Sequence, residues 1–205
     1  MNYSWCEIYL LAKDWQTLIG ALTALVAALL TIAVMLWQAS SERKRHRNQL
    51  KRKNLAARAR MPDALAEVTE YAQRVGKFLT GQIDDRPEGP QSESIQTLKQ
   101  VIEHIDDDAA ARTFELVSWY QVQRVRFQDN ESPLNDTGSL YEVVRLQAYV
   151  NSLFDYARDQ SQTVSNDKPS QDEMMTAKHN VFDLQYVMAN EAQFNELDQR
   201  IQRQH

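Results

Sequence analysis

Glu103, His104, Asp107 and Asp108 form the densest group of potential metal ligands or acid–base residues in the chain. Histidine with carboxylates is a genuine ligand set for a divalent metal. His104 with Asp108, and Glu103 with Asp107, are four residues apart, so a helix would place each pair on one face. His179 and Asp183 share that spacing. The same spacing is common on charged, solvated helix faces, and the Glu-x-x-His pairs of di-iron bundles do not occur. Nucleophilic chemistry has less support. There is no Gly-x-Ser-x-Gly elbow and no glycine-rich phosphate loop, and Cys6 is the only cysteine. The residues therefore predict a non-enzymatic protein without a cofactor. A metal-dependent or hydrolytic helical enzyme using Glu103, His104, Asp107 or Asp108 is the alternative.

The element that would position all of this is membrane-like. Thr17 to Trp37 is a run of 21 residues without a charge. At about 1.5 Å per residue it spans roughly 32 Å, which matches a hydrocarbon core of about 30 Å. Its polar side chains are Thr17, Thr23 and Thr31, whose hydroxyls can bond back to the preceding turn. Trp15 and Trp37 stand at the two ends, where amphipathic rings suit the headgroup level. A cleaved signal peptide would need a basic segment before a shorter apolar run, which is the reverse of this order.

Nine basic residues follow the span, at 43, 44, 45, 47, 51, 52, 53, 58 and 60, against Lys13 before it. The positive-inside rule then places the N-terminus outside and the rest in the cytoplasm. Arg43, Lys44, Arg45, Arg47, Lys51, Arg52 and Lys53 are the candidates for contact with anionic lipid headgroups. Gly20, Ala24 and Ala28 recur every four residues, a spacing that allows close helix packing and a homodimer.

Charge divides the chain. Residues 1–60 carry net +7 and residues 61–205 net −12. An acidic domain repels phosphates, so nucleic acid is not expected as a partner. The lone cysteine excludes an intrachain disulfide, as suits a reducing compartment.

The expected organisation is a short external segment (1–14), a transmembrane helix (15–37), a basic stalk (38–61) and an acidic helical domain (62–205). The span should continue into the stalk, since 38–60 contains no Pro or Gly. Pro62 marks the junction. Five helices are expected beyond it, forming a cytoplasmic bundle in an all-α chain. The first runs from Asp63 to Thr80 with Gly81 as its C-cap. The second runs from Ser94 to Asp106, and the third continues to Phe127 with Phe114, Val117, Tyr120 and Phe127 facing the core. The fourth covers Leu140–Asp159. The last opens on the capping box Ser170-x-x-Glu173 and carries Met174, Val181, Leu184, Met188 and Ala192. The tail from Asn195 is expected to fray.

Asp14–Ile19, Ala56–Arg60, Pro62, Ala64 and Leu65, with the basic stretch between them, resemble small single-pass bacterial inner-membrane proteins of unassigned function. The resemblance covers about the first third of the chain. It implies a bacterial inner membrane and assigns no functional residue. The sequence thus points to a membrane-anchored helical module that meets a protein partner, with an oligomerising membrane-active effector as a further alternative.

Overall fold

The computed structural model describes residues 5–129, 137–165 and 167–204; among these, the side chains of residues 5–12, 14, 17 and 127–129, including Cys6, Thr17 and Phe127, lie outside the described set. Eight helices and no strand are present among the described residues: α1 (Trp5–Arg58), α2 (Met61–Leu79), α3 (Ser92–Val101), α4 (Asp107–Asp129), α5 (Thr137–Ala157), α6 (Gln171–Val181), α7 (Leu184–Ala189) and α8 (Glu191–Gln204). The chain forms two compact units, Met1–Lys51 and Arg52–His205.

The first unit is helix throughout its described length, continuous through the apolar run and the basic segment. The Thr23 hydroxyl donates to Gly20 O at 2.9 Å and that of Thr31 to Ala27 O at 2.8 Å, so neither is left unsatisfied.

In the second unit α5 is the central helix, packed against α2, α4, α6 and α8. Its sequence explains the position. Leu140, Val143, Val144, Leu146, Val150 and Leu153 are buried and surround the helix rather than forming one stripe. Tyr141, Tyr149 and Tyr156 are buried beside them. The buried Gln147 amide donates to Thr69 and Asn151. α2 presents the expected face, with Leu65, Val68, Ala72, Val75 and Leu79 buried. It ends in a Schellman turn: Gly81 N donates to Phe78 O, Gln82 N donates to Lys77 O, and Gly81 takes φ 69°. At Gly76 the backbone meets α6 so closely that a Cβ would lie 2.6 Å from Val181 Cγ1.

Three expectations are corrected. The five helices expected after the span are seven, because the last one breaks twice. Phe182 takes an extended conformation and Asp183 caps α7 by accepting from Gln185 N at 2.7 Å. The break moves the helical phase, so Leu184 and Met188 are exposed instead of buried. The tail does not fray: α8 buries Phe194, Leu197 and Ile201, and Phe194 packs edge-on against Phe182 with centroids 5.0 Å apart. Phe114 also leaves the core. It is 63% exposed, while Val117 and Tyr120 on the same helix are buried.

Candidate functional site

The most unusual surface belongs to α1. Leu18, Leu22, Leu25, Leu29, Leu30 and Leu36 are all more than half exposed, and no side of the apolar run is buried against protein. Trp15 and Trp37 are 61% and 72% exposed at its ends. Gly20, Ala24 and Ala28 are exposed along one lane, and a Cβ at Gly20 would meet nothing within 4 Å. Burying an aliphatic side chain is worth roughly 1.5–3 kcal/mol. Ten Leu, Ile and Val residues in this run therefore represent on the order of 20 kcal/mol, more than the whole stability of a typical domain. An apolar surface of that size calls for a covering, either lipid or another protein.

The basic residues that follow are exposed, but they do not act as one group. Arg43, Lys44, Arg47 and Lys51 line one face of α1 with Ser40 and Asn48. At 100° per residue, Arg45, Arg52 and Lys53 point to other sides. Arg52 and Lys53 belong to the second unit.

The second unit carries two surface features. Phe114, Val122 and Val125 are exposed on α4, and at helical spacing they fall within about 80° of one another. Beside them a groove between α3 and α4 is lined by Ile95, Lys99, Tyr120, Arg124 and Val125. Tyr120 is buried at its base, and its ring meets Tyr71 edge-on at 5.5 Å. Its hydroxyl lies beside Arg124 without a hydrogen bond of good geometry. Desolvation, with Tyr120 next in effect, pushes the Tyr71 hydroxyl up to about 12. Trp119 is partly buried, and Arg145 stacks on its ring 4.2 Å from the centroid.

The candidate metal ligands are not arranged as helical pairs. α3 ends at Val101, so Glu103 and His104 sit in the turn before α4 while Asp107 and Asp108 open that helix. His179 and Asp183 are separated by the break at Phe182. No group of three such side chains converges among the described residues.

Comparison with known proteins gives no match. No family model, curated protein or solved structure is similar to this chain. What the chain does must therefore be read from its own residues.

Two buried arginines were not legible as special in the sequence. Arg58 is 3% exposed. Its guanidinium donates to Tyr156 O and Ser161 O at 2.8 Å, pairs with Asp159 at 2.8 Å, and lies 4.1 Å from the centre of the Tyr156 ring. The Tyr156 hydroxyl in turn donates to the Asp106 carboxylate at 2.6 Å and accepts from Asp106 N. Arg112 donates to Ser165 O and Asp167 O and faces the Tyr149 ring. Together they hold the connection between α5 and α6. In the sequence Arg58 is one of a run of cations, and only its place four residues from Pro62 set it apart.

Proposed function

We propose that the chain is a single-pass, membrane-anchored, non-enzymatic helical interaction module. In this reading residues 15–37 cross the bilayer, residues 1–14 lie outside, and the second unit lies at the cytoplasmic face. The observation that carries it is the exposed apolar sleeve of α1, bounded by Trp15 and Trp37 and followed from Arg43 by cations. Lipid covers such a sleeve without a protein partner, and the basic flank supplies orientation. A bacterial inner membrane is the location that the resemblance noted for the N-terminal third would imply. Tethering would concentrate the second unit near the surface, where the exposed α4 residues Phe114, Val122 and Val125 offer an apolar contact for a protein partner. The small-residue lane Gly20, Ala24 and Ala28 offers a face for a second copy.

The test uses the single thiol, Cys6. A membrane-impermeant maleimide should label it in intact cells, and alkaline carbonate should leave the chain in the membrane pellet. Release by carbonate would refute the anchor. Retention with labelling only in lysed cells would keep the anchor and reverse its orientation.

A further inference from the structure

The cations after the apolar run differ in their direction around α1, and that direction has a consequence. Arg43, Lys44, Arg47 and Lys51 line one face, and none has an ion-pair partner among the described residues. Spaced 100° apart per residue, the four fall within about 100° of arc. Glu42 is the single acidic residue between 38 and 60. It points roughly 150° away from the centre of that arc, so it does not neutralise the stripe. Ser40 and Asn48 add neutral hydrogen-bonding groups to the same face.

Height along the helix narrows the ligand. Arg43 and Lys44 stand about 9–11 Å beyond Trp37, Arg47 about 15 Å and Lys51 about 21 Å. The headgroup layer on each side of a bilayer is only about 5–8 Å thick. Arg43 and Lys44 can snorkel back to phosphates at the membrane surface. Arg47 and Lys51 stand above that layer and meet only a headgroup that projects further. Four arginine and lysine heads at successive heights suit several phosphate groups in a column better than one.

We propose that the α1 face bearing Arg43, Lys44, Arg47 and Lys51 binds a projecting lipid headgroup that carries two or more phosphate charges. The proposal rests on the reading of α1 as a membrane span. Its test uses the full chain in neutral micelles, titrated with lipid and followed by native mass spectrometry. The probes are a phosphoinositide bisphosphate, phosphatidylglycerol matched to it in total charge, and phosphatidylcholine. Two triple variants separate direction from charge: R43Q/R47Q/K51Q on the face and R45Q/R52Q/K53Q off it. The bisphosphate should bind at least tenfold more tightly than charge-matched phosphatidylglycerol. The on-face variant should lose at least tenfold of that affinity, and the off-face variant less than threefold. Equal binding of the two anionic lipids, or equal loss in the two variants, would reduce the stripe to a generic basic flank and overturn the proposal. Carbonate extraction of the same chain distinguishes the failures. Release from the membrane removes the anchor and this site together, whereas retention without lipid preference removes the site alone.

Discussion

Replacing Arg58 with alanine should destabilise the second unit by about 3–5 kcal/mol. Its charged donors serve two backbone carbonyls at 2.8 Å, and hydrogen bonds to charged groups contribute roughly 1.5–3 kcal/mol each. The Tyr156 ring, 4.1 Å away, adds about 0.5–2 kcal/mol. The pair with Asp159 adds little, because that carboxylate is 57% exposed and such pairs contribute about 0–1 kcal/mol. The gross sum exceeds the expected loss because water can enter the vacated site and satisfy part of the exposed carbonyls. Lysine in the same place keeps charge and much of the volume but cannot serve both carbonyls in a planar fork, so it should recover about half the loss. Urea unfolding of the full chain in a neutral detergent, followed by hydrogen exchange, measures both. Exchange should rise in the amides of 158–165 before the rest of the unit opens. A loss under about 1 kcal/mol in R58A, or full recovery in R58K, would refute the clamp. Altered lipid affinity with unchanged stability would return Arg58 to the basic flank.

Gly76→Ala should cost about 1–3 kcal/mol, since the new methyl would meet Val181 at 2.6 Å and the Phe182 ring at 3.1 Å; thermal unfolding reads it. Ser170→Ala should cost about 1 kcal/mol by removing the cap of α6, whose reciprocal bonds join Ser170 and Glu173; exchange in the first turn of α6 should rise most. The raised Tyr71 pKa gives a signed pH effect. Stability should be insensitive to this group below pH ~10, where it is neutral folded or unfolded. It should fall as pH rises from there toward 12, by at most about 1.4 kcal/mol per unit, because the unfolded chain ionises first. Ultraviolet titration should show a late-ionising phenol in the folded chain, diminished in Y71F.

The sequence was informative where one physical signal acted alone. The apolar faces of α2 and α3 followed the 3.6-residue period, so Leu65, Val68, Ile95 and Leu98 were identified as interior and are buried. Ser170 and Glu173 were identified as a capping box and form one. Gly81 was identified as a helix stop and takes the left-handed conformation there. It was misleading where local preference and tertiary contact competed. The stretch 171–192 reads as one helix because it lacks Pro and Gly, yet the backbone extends at Phe182, whose ring meets that of Phe194. The polar composition of 191–204 hid a sound i, i+3, i+7 pattern at Phe194, Leu197 and Ile201, and the pattern outweighed the composition. On α4 the apolar residues outnumber the positions that face α3 and α5, so periodicity alone could not decide that Phe114 faces outward. Of the candidate site, the cations were visible in sequence, while their division among helix faces needed the continuous α1 to set the phase.

The two arginine clamps grip main-chain oxygens, those of Tyr156, Ser161, Ser165 and Asp167. A carbonyl is present whatever side chain the residue carries. The α5–α6 connection can therefore exchange its exposed side chains by mutation without losing its anchorage, provided Arg58 and Arg112 stay. Among divergent copies of this chain, the exposed positions 162, 163, 165, 167 and 168 should vary freely in identity, buried Val164 should stay apolar, and the segment should tolerate little change in length, while both arginines, each remote in sequence from the segment it holds, should resist replacement even by lysine.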